Sequence, residues 1–348
     1  MNRKQVNEYL KESVDLQIDQ NMGNINEKWT ERLISHFEQF PKKLYKYAKL
    51  NRFTFDSIEH EYIYLCPANK LDDQFECQVK DISLRRFEQA KNEQLIYEKI
   101  AEMLPELLSN YPIPFSKEQI ALILDNIRNS ATKQPTIASI AEQAGYCLTD
   151  KERAAAEKVE KNKLSEKGSA FVEYLYKRVD KFQKTKRIGS LTECKSSQVM
   201  WEMYADHYKG VCIEYELFND SDIFLNTFPV KYVKKRKNDL LRISLGITLD
   251  EFVIGISGGM IKPTNNMQSY IEILLTKYTE WSFQKEWRII GETKAKINGQ
   301  KIKRIFVGKN VSKKKMEKLS KIASDKGIKL YKQYDDKETL QIKYTPIK

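Results

Sequence analysis

The chain has 348 residues, 41% hydrophobic and 31% charged, enough to bury a sizeable core in one large domain with an insertion or in two modest ones. Its longest nearly apolar run, FVIGISGGMI at 252–261, is about half the roughly 20 residues a membrane span requires. The N-terminus MNRKQVNEYLKESVD lacks the apolar stretch of a secretory signal, so a cytoplasmic protein without membrane contact is expected.

Residues 1–40 read as a helical segment, with Val6, Leu10, Val14 and Leu16 near helical spacing and Trp29, Leu33, Ile34 and Phe37 repeating the pattern before Pro41. KLYKYAKL at 43–50 and YIYLCPANKLDDQFECQV at 62–79 carry the β-branched and aromatic residues of strands. From 83 to 186 the pattern is helical throughout, which predicts a large all-helical insertion serving as a lid, a dimer arm or a docking surface for an antitoxin or regulatory protein. SSQVMWEMYADHYKG at 196–210 predicts a helix with serine at its start and Gly210 as a left-handed C-cap. VCIEYELF follows as a strand with Val211, Ile213 and Tyr215 on its apolar face, then a strand at FPVKYV, helices around 236–256, the helix MQSYIEILLTKY and a strand WSFQKEWRII at 281–290. The tail reads as strand IKRIFVG, helix SKKKMEKLSKIASDKG and strands IKLYKQY and LQIKYTPI.

Without a steady βαβ rhythm, the fold class is α+β with a mixed or antiparallel sheet. Its core spans 41–82 and 187–348.

The net charge is +12, and residues 301–348 hold 15 Lys+Arg against 5 Asp+Glu. Such an excess suits nucleic-acid phosphates, and it equally suits a solvated lysine face. Five scattered cysteines without a CxxC pair argue against a disulfide framework or a zinc site. Three histidines (His36, His60, His207) without ligand spacing weaken any histidine-dependent hydrolase.

Three segments combine aromatic, acidic and basic residues beyond what a core needs. LYKY places Tyr45 and Tyr47 on one strand face and Lys46 on the other. KLDDQFE supplies Asp72, Asp73 and Glu76, and MWEMYADHYKG carries an aromatic stripe of Trp201, Tyr204 and Tyr208 whose plainer reading is core packing. In WSFQKEWRII, strand alternation sets Trp281, Phe283, Trp287 and Ile289 against Glu286 and Arg288.

The order LYKY, a strand ending at Pro67 with an Asn/Asp-rich turn and FEC, then MWxxYAxxxKGxCIEY and KxxxWxxxxEWR, resembles the bacterial proteins catalogued as domain of unknown function 2971 over roughly 43–80 and 188–330. The chain departs from that pattern with SLT at 190–192 in place of CFS, Tyr208 in place of a histidine and Asp72 in place of an asparagine. In layout it is also similar to the ADP-ribosyltransferase superfamily, whose members bind NAD in a cleft of a split sheet. That resemblance implies Glu286 as the catalytic carboxylate, Tyr45 or Tyr47 at the cofactor site and Trp201 or Tyr204 as the stacking aromatic. Arg288 would hold the pyrophosphate or keep Glu286 ionised. It further implies a macromolecular acceptor, RNA or DNA given the basic tail, and toxin or anti-phage biology.

Two other readings stand beside it. A Mg²⁺-dependent nuclease would use Asp72 or Asp73 with the acid-x-lysine triplet Glu193 to Lys195. A non-catalytic nucleic-acid-binding protein would use the tail with Tyr331, Tyr334 and Tyr344 as stacking platforms. The bland alternative for Glu286 and Arg288 is an ion pair that only fixes sheet register.

Overall fold

The structure, a computed structural model, describes residues 26–71, 179–217, 226–236, 273–291, 296–298 and 302–347, with shorter pieces at 4–6, 8–10, 12–13, 16, 76–77, 223–224 and 243 and scattered positions between 102 and 177. The block 83–186 lies largely outside these residues, as do Asp72, Asp73 and nearly all of 236–256; positions 179–185 are helical.

Among the described residues nine strands form one mixed sheet. In chain order they are β1 (Leu44–Ala48), β3 (Cys66–Pro67), β4 (Arg187–Thr192), β5 (Val211–Tyr215), β6 (Thr227–Pro229), β9 (Glu286–Gly291), β11 (Ile302–Val307), β12 (Lys329–Asp336) and β13 (Gln341–Pro346). Across the sheet the order is β13, β12, β11, β5, β1, β4, β9, β6, with β3 also on β4. Every pairing is antiparallel except β11 with β12, whose parallel register is bridged by helix α4 (Lys313–Lys326). Two short pairs stand apart, β2 (Tyr62–Tyr64) with β10 (Lys296–Asn298) and β7 (Lys231–Val233) with β8 (Thr276–Tyr278).

Alternation along the strands separates two cores. Leu44, Leu191, Val211, Ile213, Tyr215, Trp287, Ile289, Ile305 and Val307 share the larger one with Leu319, Ile322 and Ala323 of α4 and with Phe55 and Ile58 of α2 (Arg52–Glu59). Tyr45, Tyr47, Cys212 and Phe306 point the other way, onto Met200 and Trp201 of α3 (Gln198–Tyr204). Burying each such large side chain contributes on the order of 1.5–3 kcal/mol.

Local chemistry fixes the helix ends. Asn26 caps α1 (Glu27–Gln39) by accepting from Trp29 N at 3.0 Å, and Asn51 caps α2 by accepting from Phe53 N and Thr54 N at 3.0 and 3.1 Å. Phe40 is extended, as a residue before proline prefers. Ser197 caps α3, and Gly327 at φ 68° closes α4.

Four local expectations change. The strand read at 62–79 breaks after Pro67 into a 3₁₀ turn, Ala68–Lys70. FPVKYV divides at Val230 into β6 and β7, which belong to different sheets. The segment MQSYIEILLTKY ends as strand β8 rather than as helix. WSFQKEWRII is a strand only from Glu286; Thr279–Gln284 is a 3₁₀ turn, and Lys285 at φ 41° reverses the chain into β9. Trp281 and Phe283 therefore leave the strand face, whereas Trp287 and Ile289 remain in the core opposite Glu286 and Arg288.

Gly210 is not the left-handed cap. Asp206, His207 and Tyr208 take that conformation instead, at φ 51°, 52° and 64°. Gly210 is needed because a Cβ there would lie 2.2 Å from the Ala48 carbonyl oxygen.

Candidate functional site

A split in the sheet positions the site. Strand β4 pairs along its whole length with β9, from Arg187 opposite Gly291 to Thr192 opposite Glu286. Its other edge is shared: Thr192 meets Tyr45 of β1, Ile188 and Arg187 meet Cys66 and Pro67 of β3, and among the described residues no strand on that edge is in register with Ser190. Lys46 enters this gap and donates from Nζ to the Ser190 carbonyl at 3.2 Å. A cleft of about 1120 Å³ opens there. Its lining includes Tyr45, Lys46, Tyr47, Tyr204, Lys277 and Glu286.

The floor is a buried ion network. Glu286 accepts from Arg288 Nε at 2.9 Å, from Arg288 Nη2 at 3.3 Å and from Lys277 Nζ at 3.0 Å. Arg288, wholly buried, also pairs with Glu76 and donates to the Leu274 carbonyl. Lys277 stands 3.3 Å from Glu76 and donates to Gln284 Oε1 at 2.7 Å. Gln284 in turn donates to the Tyr204 hydroxyl at 2.6 Å, which ties floor to wall. The Glu286 amide donates to Tyr232 Oη at 2.9 Å and so fixes the start of β9. Buried carboxylates persist in this way only when cations and donors satisfy them.

Lys46 adds a third cation. Desolvation lowers its pKa, and the charges of Glu286 and Cys66 partly offset that. With Lys277 and Arg288 against Glu76 and Glu286, the floor has a formal excess of one positive charge among the described residues, which favours an anionic ligand.

Aromatic and sulfur-bearing side chains make the wall. Tyr45, Tyr47 and Tyr204 line it with Met200, Met203 and Trp281, and Lys277 Nζ lies 5.2 Å from the Trp281 ring centre. Tyr47 is held by its hydroxyl, which donates to the Cys194 carbonyl at 2.9 Å and accepts from Ser197 N at 3.3 Å. Burial raises the phenol pKa of both Tyr45 and Tyr47, so both remain neutral.

The residues singled out in the sequence divide into two groups. Glu286, Tyr45, Tyr47 and Tyr204 converge on the cleft. Trp201 and Arg288 do not line it. Trp201 lies behind Tyr47, edge to face at 5.3 Å, with its indole N–H donating to the Lys195 carbonyl at 3.1 Å. Arg288 lies beneath Glu286 with no exposed surface. Sequence reasoning missed Lys277 and Gln284 and gave Lys46 no role; a lysine within an aromatic strand is the one signal that pointed to the last.

Glu193 accepts from the Trp287 indole at 2.7 Å, and Lys195 lies over the rings of Phe306 and Tyr344 at 5.0 and 5.5 Å. Glu193 and Lys195 are thus both engaged in packing, while Asp72 and Asp73, the other residues of the nuclease reading, lie outside the described residues. No group of three His, Cys, Asp or Glu side chains suited to a metal gathers among the described residues. Of the three tail tyrosines, Tyr334 is exposed, while Tyr331 and Tyr344 pack against Phe306. Helix α4, with its exposed lysines, covers the sheet face opposite Tyr45 and Tyr47. No helix among the described residues is long and apolar enough to cross a membrane.

Residues 200–289 match the model of a family described as "Protein of unknown function (DUF2971)". The match runs from α3 to the middle of β9 and takes in Tyr204, Lys277, Gln284, Glu286 and Arg288. It supports the family resemblance read from the motifs. No curated protein and no solved structure matches the chain.

Proposed function

We propose that the cleft binds NAD and that the chain is an NAD-dependent ADP-ribosyltransferase acting on a macromolecule. The observation that supports this reading is the convergence of Glu286 with Tyr45, Tyr47 and Tyr204 on one cleft at a split in an α+β sheet, as the resemblance to ADP-ribosyltransferases would require. A volume of about 1120 Å³ slightly exceeds the roughly 300–1,000 Å³ of ordinary small-molecule sites, which leaves room for a dinucleotide. The cationic floor suits a pyrophosphate, and the tyrosine wall suits a planar base or nicotinamide.

NAD supplies a ribose–nicotinamide bond whose cleavage leaves positive charge on the ribose. Glu286, fixed by Arg288 on one side, presents a carboxylate to that charge without a solvent shell to reorganise. Lys277 has Glu76 and Gln284 as alternative partners, so it can yield its contact with Glu286 to a ribose hydroxyl and remain satisfied. Gln284 orients the Tyr204 hydroxyl, which places that ring at the wall.

The acceptor class we favour is nucleic acid, drawn by the excess of positive charge in 301–348. Because α4 stands on the far side of the sheet, its lysines would hold a strand that wraps round the molecule rather than one lying only in the cleft. Toxin or anti-phage activity, restrained by an antitoxin or regulatory protein, follows from this reading.

The test is transfer from NAD labelled in its adenylate phosphate to cellular RNA, DNA and protein. The expected result is label on one acceptor class with the wild-type chain and none above background with Glu286→Gln. Absence of transfer by the wild-type chain to every class, or undiminished transfer by the variant, would overturn the proposal.

A further inference from the structure

We propose that the gap between β1 and β4 is an oxyanion subsite, in which the Lys46 ammonium and the Ser190 amide hold one phosphate group of the ligand. The direction of the ladder bonds places the amide. Val230 N donates to the Glu286 carbonyl at 2.9 Å and Ile290 N to the Asn226 carbonyl at 2.8 Å, so Glu286, Arg288 and Ile290 turn their backbone groups toward β6. Trp287, Ile289 and Gly291 therefore face β4 and meet Leu191, Gly189 and Arg187. Ile188, Ser190 and Thr192 send theirs to the opposite edge. There Ile188 meets Cys66 and Thr192 meets Tyr45, while Ser190 opens onto the gap. Its carbonyl takes a lysine side chain instead of a strand, and its N–H points the same way.

Lys46 itself is under-compensated. Among the described residues it makes no ion pair, and its one hydrogen bond goes to a neutral carbonyl. The carboxylates of the floor are committed to Arg288 and Lys277. Lys46 is half-buried, and an ammonium partly withdrawn from water gains from an anionic partner, so a ligand phosphate is the chemistry that completes this one. A backbone N–H beside a lysine is also how proteins commonly cradle phosphate, through a fixed dipole and a point charge.

The subsite stands on this geometry and not on ADP-ribosyl transfer, so the two can fail separately. Titrate the full chain with fluorescent ADP-ribose and with a short labelled RNA, and compete each with inorganic pyrophosphate. Pyrophosphate is expected to displace at least one probe, and the probe displaced tells a free nucleotide from a nucleic-acid phosphate. Lys46→Met is expected to weaken that binding about 10- to 100-fold, the loss of one charge-assisted contact, while Lys46→Arg retains most of it. Urea denaturation separates binding from folding: removing an under-compensated ammonium leaves Lys46→Met at least as stable as wild type. No displacement by pyrophosphate, unchanged binding in Lys46→Met, or a large loss of stability in that variant would each overturn the subsite. If transfer occurs with an unaltered KM for NAD in Lys46→Met, the subsite falls and the transferase stands. If Lys46-dependent binding occurs without transfer, the reverse holds.

Discussion

Arg288 and Glu286 stand two residues apart on one face of β9, and the guanidinium Nε donates to the carboxylate at 2.9 Å while Nη2 of the same guanidinium is shared between Glu286 and Glu76. One buried cation thus serves two buried carboxylates, and the two ends of the pair are unequal under mutation. Arg288→Met leaves the two acids with Lys277 alone between them and is expected to cost about 3–5 kcal/mol. Glu286→Gln leaves Arg288 with Glu76 and should cost about 1–2 kcal/mol. Urea denaturation of the two variants checks the order; a Glu286→Gln variant less stable than Arg288→Met would show that the network is organised around the glutamate.

The hydroxyl of Tyr47 bridges Cys194 and Ser197, at the turn that leads into α3. Tyr47→Phe keeps the ring in the cleft wall and removes that bridge. The expected loss is about 1–2 kcal/mol. Faster amide exchange at Ser197 is expected with it, since its donor then faces no acceptor; unchanged exchange there would contradict the assignment.

Two glycines should respond very differently to alanine. At Gly210 a Cβ would meet backbone oxygens of Ala48 and Ala205 at 2.2 and 2.8 Å, so β1 and the turn after α3 must both move. Gly210→Ala is expected to cost more than about 3 kcal/mol or to prevent folding, as other strained overpacked sites do. Gly327 has φ 68° and open space round it, so Gly327→Ala should cost only about 1 kcal/mol. Melting temperatures of the two variants make the comparison.

His36 is buried against Tyr9, with ring centres 3.8 Å apart, and its Nε2 lies 3.1 Å from Ser13 Oγ. Glu12 Oε2 is 4.0 Å from Nδ1, too far to offset burial, and desolvation lowers the imidazole pKa to about 4. The folded state therefore binds this proton less readily than the unfolded chain, whose histidine titrates near 6.5. Stability from this group is present above about pH 6.5 and is lost as the pH falls toward 4. Between pH 7 and pH 5 the chain should lose about 2 kcal/mol on its account. Urea midpoints at the two values, with His36→Gln as the variant expected to show a flatter profile, measure it.

What the sequence made legible was local. LYKY, VCIEY and the tail from IKRIFVG onward became β1, β5 and the β11–α4–β12–β13 unit because their alternation and caps are written in neighbouring residues. Glu286 was legible for the same reason, as a carboxylate on the polar side of an apolar strand. Lys277 was not, because its segment carries helical spacing while pairing with β7 makes it a strand. The positive φ of Lys285 was equally hidden: nothing in its own side chain asks for it, and the reversal is imposed by the 3₁₀ turn before it. Trp201 looked like a ligand-stacking ring because spacing gives a face of a helix without saying what covers that face; here Tyr47 and Tyr208 do.

The gap at Ser190 has a consequence for synthesis of the chain. Lys46 and Ser190 meet across 144 positions of sequence, so at about 5–20 residues per second β1 emerges from the ribosome roughly 7–30 s before β4 exists to receive it. Its other neighbour, β5, comes later still. For that interval LYKYA has two open edges, the condition under which nascent strands pair with the wrong partner. A lysine at its centre is the gatekeeper that short aromatic strands use against such pairing, so the same ammonium guards the strand before folding and reaches the cleft after it.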